Sequence, residues 1–286
     1  MIKKIFSNDD PIKSQNDSNG SFPHDEGAIQ AIKMVQSRNT KSRAAEVVTI
    51  NMAPKKKGFF SRKVSVGDPL IEEYRKIKRP IIEYAFKNQN DPNLYSNLVM
   101  VTSSVPGEGK TYTSVNLALS IAMELERTVL LVDADVIKPS INKFFNIRTP
   151  YGLNDYLQKT DADLSAYILK TSIENLRILP AGQQSMRSAE LLSSEKMGRL
   201  VKELAERYPD RIIIFDSPPL LVTNEAPVIS NLVGQIVVVV EAQKTTKTLL
   251  NDALSLLKKD KPINLVLNKS KSKSSNYGYG FDYYKK

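Results

Sequence analysis

Six short runs in this chain are almost wholly apolar: NLVMVTS (Asn97 to Ser103), TVLLVDAD (Thr128 to Asp135), NLRILPA (Asn175 to Ala181), RIIIFDSP (Arg211 to Pro218), QIVVVVEA (Gln235 to Ala242) and INLVLNK (Ile263 to Lys269). A strand wetted on one face alternates apolar and polar residues, so near-continuous runs predict strands buried on both faces. Between them lie stretches of helical spacing, among them Thr111 to Glu126, Ala189 to Tyr208 and Thr246 to Lys258. The alternation predicts a doubly wound α/β domain with a mostly parallel sheet. Ligands of such sheets bind beyond the carboxyl ends of the strands, so the residues that follow each run are where chemistry is to be sought.

The first run leads into SSVPGEGKTYTS, which holds Pro106, Gly107, Glu108, Gly109, Lys110, Thr111 and Tyr112 and opens a helix. Glycines there let backbone N–H groups wrap a phosphate, and the helix N-terminus adds positive dipole. A lysine neutralises β and γ oxygens, and a threonine hydroxyl ligates Mg2+. The stretch reads as the P-loop of an ATP-binding NTPase fold, although Ser104 stands where the G-x-x-x-x-G-K-[ST] pattern has its first glycine. Two further runs end in carboxylates, Asp133 and Asp135 in one and Asp216 in the other. A strand-end aspartate is ordinarily a cap. Beside a phosphate loop, all three become candidates to hold the metal shell or take a proton from an attacking hydroxyl.

Composition removes other chemistries. With no cysteine, thiol nucleophiles, iron–sulfur clusters and thiolate zinc sites are excluded. The one histidine, His24, sits in a polar stretch and does not suggest a triad or a metal cluster. A net charge of +10 suggests an anionic partner without choosing among them. MIKKIF is followed by SNDDPIKSQNDS rather than by an apolar stretch, and no run approaches the ~20 residues of a membrane span, so a cytoplasmic protein is expected.

The chain divides into three parts. Residues 1–66 are rich in Ser, Asn, Asp and Lys and are expected to be a largely disordered, basic segment. Within them PKKKGFFSRK (Pro54 to Lys63) has the composition of a segment that touches anionic lipid headgroups, or of a plain solvated linker. Residues 67–268 hold the nucleotide domain, opening with PLIEEYRKIKRPIIEYAF, whose Leu70, Tyr74, Ile77 and Ile81 mark an amphipathic helix that Pro80 could kink. Residues 269–286 form a flexible tail carrying Tyr277, Tyr279, Tyr283 and Tyr284.

These motifs together resemble those of the bacterial tyrosine autokinases of capsule and exopolysaccharide export systems. VPGEGKT is similar to that family's Walker A loop, LLVDAD to its Walker A′ motif, IIIFDSPP to its Walker B motif and YGYGFDYY to its tyrosine cluster. The wording EEYRKIKRP, DADVIKPS and FDSPPLLVTNEA is most like the branch found with exosortase-type loci.

The resemblance implies ATP- and Mg2+-dependent phosphorylation of the four tail tyrosines, in trans within a ring-shaped homo-oligomer. Lys110 would serve the phosphates, Thr111 would ligate the metal, and Asp216 with one Walker A′ aspartate would hold its water shell. Asp133 or Asp135 would be the base. Glu72, Arg75 and Lys78 fall on the E-x-x-R-x-x-R positions of the family's oligomer interface, though their three-residue spacing also suits an exposed salt-bridge ladder. Asn268 would contact adenine or cap a turn. Implied partners are a membrane polysaccharide co-polymerase acting as activator, a cognate tyrosine phosphatase and other protein substrates, with no nucleic acid. The implied place is the inner face of the cell membrane, with peripheral membrane contact.

Two departures keep other functions open. Many members have arginine where Ile137 stands, so an ATP-binding scaffold of the export complex without kinase activity is one alternative. A MinD/ParA-like positioning ATPase is another, against which Val105 occupies the place of that group's signature lysine.

Overall fold

The computed structural model describes residues 47–48, 69–88, 91, 94–185, 187–207 and 210–270. An eight-stranded sheet runs through them in the order β1-β4-β5-β3-β6-β2-β7-β8. The strands are β1 (Val47–Val48), β2 (Leu98–Ser103), β3 (Thr128–Asp133), β4 (Leu169–Thr171), β5 (Leu176–Leu179), β6 (Arg211–Asp216), β7 (Gln235–Glu241) and β8 (Ile263–Asn268). Every pairing is parallel except β4 with β5.

All six apolar runs are strands, and β2 is buried along its whole length. β8, at the sheet edge, is not buried on both faces: it leaves Leu265 and Leu267 exposed because, among the described residues, no strand covers its outer side. Side chains alternate between two cores. Leu98, Met100, Leu130, Val132 and Phe215 face one, and Val99, Val101, Leu131, Ile212 and Ile214 face the other. Helices cover both: α1 (Pro69–Lys87), α2 (Lys110–Ala122) and α3 (Ile141–Phe145) lie on the second face. On the first lie α4 (Leu153–Gln158), α5 (Ser188–Leu192), α6 (Glu195–Arg207), α7 (Glu225–Leu232) and α8 (Lys247–Ser255). The helix behind the phosphate loop, α2, is buried almost all round, because the sheet lies under it and α1 packs over it through Tyr74, Ile81 and Ala85.

Several boundaries differ from the sequence reading for identifiable reasons. The helix expected over Ala189 to Tyr208 is two helices. At the break Ser193 bonds back to the Ala189 carbonyl, and the Ser194 hydroxyl accepts the Met197 N–H as a cap for α6. The run NLRILPA leaves the ladder at Leu179; Pro180 lacks an N–H, and the Pro180 and Ala181 carbonyls instead accept the N–H groups of Leu153 and Asn154. Pro80 does not interrupt α1, which continues to Lys87; its ring is exposed.

The short strands β1 and β4, of two and three residues, are too brief for a sustained apolar run and were not expected. β1 falls inside residues 1–66; the rest of that segment, PKKKGFFSRK and residues 271–286 lie outside the described residues. Among the described residues no helix is long and apolar enough to cross a membrane.

Candidate active site

The phosphate loop departs from β2, an interior strand flanked by β6 and β7. Gly107 (φ 92°) and Gly109 (φ 103°) both adopt the left-handed conformation. A Cβ on Gly109 would also lie 2.0 Å from Asn268 Nδ2, so glycine is needed there for space as well as for backbone geometry. Gly109 is the N-cap of α2 and offers no side-chain cap, leaving the first N–H groups of the helix to an anion.

The loop is fastened from the ends of β7 and β8. Glu108, only 1% exposed, turns its carboxylate inward. It accepts the Val105 N–H at 2.9 Å and the Thr245 hydroxyl. Asn268 Nδ2 donates to the Glu108 carbonyl (2.8 Å), and Lys269 Nζ donates to the Gly107 carbonyl (2.7 Å) while pairing with Glu241. The loop is thus held in shape without a ligand's help.

The carboxylates stand on neighbouring strands. Asp133 and Asp216 are register partners in β3 and β6 and are both fully buried. Asp133 Oδ2 accepts the N–H groups of Ser140 and Ile141 at 3.1 and 3.0 Å, and among the described residues its Oδ1 has no hydrogen-bond partner. Asp216 Oδ1 accepts the Ser114 hydroxyl at 3.0 Å, and its Oδ2 has none. Asp135 is fully engaged: Oδ2 pairs with Lys110 Nζ at 2.6 Å and Oδ1 accepts the Lys138 N–H.

Charges follow from this crowding. Burial first, then the Asp216 charge, pushes Asp133 well above the usual carboxylate range. Burial also raises Asp216, against the pull of Lys110 and of the Thr111 and Ser114 hydroxyls. Burial works against the Lys110 ammonium, yet Asp216 and Asp135 outweigh it and hold its pKa above the ordinary lysine value.

Lys110, Thr111, Asp133, Asp135 and Asp216 are therefore gathered at one place, with Gly107, Glu108, Gly109 and Asn268 in the loop beside them, while Tyr112, Glu72, Arg75 and Lys78 make their contacts elsewhere. Tyr112 turns its ring toward Phe144, with centroids 6.5 Å apart. Asn268 does perform a turn role, accepting the Lys269 N–H at its Oδ1. Glu72 and Arg75 form an exposed pair at 2.5 Å, as a surface ladder would. Lys78 departs from that face: it is buried, donates to the Ser120 carbonyl at 2.7 Å and pairs with Glu124. The reason is its position on the stripe of α1 that packs on α2. Tyr277, Tyr279, Tyr283 and Tyr284 lie outside the described residues.

Sequence reasoning missed the inward Glu108 carboxylate, Thr245, Ser114 and Lys269. Only the placement of Thr245 and Lys269 just past strand ends could have marked them.

Among the described residues no three or more His, Asp or Glu side chains form a preassembled metal cage. The donor set still suits a hard divalent cation carried in with phosphates: the orphaned oxygens of Asp133 and Asp216 are buried acceptors, and Thr111 lies beside Asp216.

A family model described as an AAA domain matches residues 96–269. The tyrosine-protein kinase YwqD of Bacillus subtilis (strain 168) is 35% identical over 199 residues, covering 69% of this chain and 80% of YwqD. The tyrosine-protein kinase Wzc of Salmonella typhimurium is 29% identical over 204 residues, covering 70% of this chain but 27% of Wzc. Among solved structures, the kinase domain of VpsO is similar with a TM-score of 0.60 and 30% identity, covering 70% of this chain and 96% of that one.

Proposed function

This chain belongs to the bacterial tyrosine-protein kinases, and we propose that it transfers the γ-phosphoryl group of ATP to tyrosine hydroxyls, beginning with those of its own C-terminal segment. The observation that carries the reading is the set of two buried strand-end aspartates, Asp133 and Asp216, each with a free oxygen, facing Lys110 at the head of the phosphate loop.

In the reaction a bond forms between the tyrosine Oη and the γ-phosphorus, and the bond from that phosphorus to the β–γ bridging oxygen breaks. Lys110 draws off charge accumulating on the β and γ oxygens, and the N–H groups of the loop and of the first turn of α2 hold the phosphates in place. An Mg2+ ion would be held by Thr111 and by Asp216 through its free Oδ2, and would supply further charge neutralisation. Asp133 receives the phenol proton: its Oδ1 is free, and its raised pKa makes it a better acceptor than an ordinary aspartate. A phenol has a pKa of about 10, so the proton moves late, as the phosphoryl group arrives. In this reading Asn268, which donates to the Glu108 carbonyl of the loop, would also contact the adenine base.

Transfer between copies suits the topology, because the segment with Tyr277, Tyr279, Tyr283 and Tyr284 leaves the sheet at its β8 edge, on the far side of the phosphate loop from Asp133. Added phosphate charge would then loosen the oligomer that Glu72 and Arg75 help to form. In this reading the activity serves capsule or exopolysaccharide export at the inner face of the membrane, with a membrane co-polymerase as activator and a phosphatase to reverse it.

The test is incubation with Mg-ATP, with and without the activator's cytosolic segment, followed by mapping of phosphotyrosine by mass spectrometry, with Lys110→Met as control. Phosphate on the tail tyrosines is expected. An unmodified tail in both conditions would overturn the reading.

A further inference from the structure

The two aspartates at the end of β3 hold the turn that follows them, and the turn holds them. Asp135 Oδ1 accepts the Lys138 N–H at 3.0 Å, and Asp133 Oδ2 accepts the Ser140 and Ile141 N–H groups. A turn closed by the carboxylates it aims needs a further hold to keep them aimed. Val136, buried in the core, anchors its base, but at its crest the Ile137 side chain is 43% exposed and adds little packing. The crest is held from the loop after β5, where Gln184 Nε2 donates to the Ile137 carbonyl at 2.7 Å.

That loop has a fixed shape. Gly182 is left-handed (φ 81°), and a Cβ there would run into Asp155 Oδ2. Asp155 Oδ2 in turn accepts the Gly152 and Gln183 N–H groups at 3.0 and 3.1 Å. Asn154, fully buried, donates from Nδ2 to the Gln183 carbonyl at 3.0 Å and to Ser188 Oγ at 3.2 Å. Ser188 Oγ donates to the Ser185 carbonyl at 2.7 Å. The backbone is thus gripped on both sides of Gln184, at Gln183 and at Ser185. From such a mount an exposed side-chain amide can fix the position of what it touches.

We infer that Gln184 is a positioning residue for phosphotransfer: by holding the Ile137 carbonyl it keeps Asp135 on Lys110 and keeps Asp133 Oδ1 open for the phenol proton. The inference rests on the kinase reading and deepens it. Gln184 acts through the turn. Without it the crest swings, the Lys138 N–H leaves Asp135 Oδ1, and the carboxylate can turn away from Lys110. The phosphate loop is fastened separately, through Glu108, Asn268 and Lys269, so nucleotide affinity is untouched.

The test compares wild type with Gln184→Met, which keeps the length of the side chain and loses the donor, and Gln184→Arg, which restores a donor. Exchange of the Lys138 amide is followed by NMR on the nucleotide-free full chain, and tail phosphorylation is followed with Mg-ATP and the activator's cytosolic segment. Gln184→Met is expected to speed the exchange and lower kcat, each roughly fivefold, with KM for ATP and affinity for a fluorescent ADP analogue unchanged. Gln184→Arg is expected to reverse both effects. Equal exchange in wild type and Gln184→Met, an unchanged kcat in an active protein, or losses that Gln184→Arg fails to reverse overturn the positioning role. Faster exchange reversed by Gln184→Arg, in a protein whose wild type makes no phosphotyrosine, keeps Gln184 as the brace of the turn and overturns the kinase reading instead.

Discussion

Asp133 and Asp216 sit directly opposite one another on β3 and β6, fully buried, each with one carboxylate oxygen that no hydrogen bond satisfies among the described residues. Such a pair opposes folding. Both have pKa values raised by burial, so their contribution to stability is complete at low pH and is lost as pH rises through their raised folded-state values. Asp133→Asn removes one charge and keeps an acceptor for the Ser140 and Ile141 N–H groups. The ligand-free variant should be more stable than wild type by about 1–2 kcal/mol near neutral pH, with the gap narrowing on acidification. Thermal melts across a pH series measure this, and the same variant should lose phosphotransfer by about 100-fold or more.

Lys110 acts in two ways, and one substitution separates them. Lys110→Met should abolish tyrosine phosphorylation. It should also destabilise the ligand-free protein, by about 3 kcal/mol, because Asp135 loses its buried partner. Denaturant unfolding of Lys110→Met and of the Lys110→Met, Asp135→Asn pair checks this: the second change should restore much of the lost stability and none of the activity.

Glu108 and Thr245 should act as one unit on nucleotide affinity. Glu108→Ala frees the Val105 N–H and the Thr245 hydroxyl and lets the loop relax. Titration with a fluorescent ADP analogue should show affinity falling by roughly tenfold. Thr245→Val should weaken it less, and adding that change to Glu108→Ala should have little further effect.

Lys78 and Arg75 should differ in kind although they share a helix. Lys78→Met leaves the Ser120 carbonyl and Glu124 without their ammonium and should cost about 2 kcal/mol in chemical denaturation. Arg75→Ala removes one exposed pair and should cost less than about 1 kcal/mol. If α1 is the oligomer interface, Arg75→Ala should instead lower the mass seen by light scattering.

The sheet was legible because inner strands buried on both faces are apolar except at their carboxyl ends, so their runs stand out against everything around them, and the edge strand β8 shares the pattern although Leu265 and Leu267 are exposed. The phosphate loop and its three aspartates were legible because this fold confines ligand chemistry to strand ends. What escaped was decided by packing between distant segments. No local pattern reveals that Glu108 meets Thr245 from 137 residues away. Nor does the three-residue spacing of Glu72, Arg75 and Lys78 say that the last of them faces α2. β4 was hidden for a related reason: it is three residues long and pairs antiparallel to its neighbour, so it needs no sustained apolar run.

Lys269 is the last basic residue before the C-terminal segment departs, its backbone is left-handed (φ 58°), and its ammonium holds both Glu241 and the Gly107 carbonyl. The root of the segment is therefore wired to the nucleotide's cradle. One ammonium thus braces the loop from behind and fixes the first step of the chain beyond β8, so neither can shift without that contact being remade.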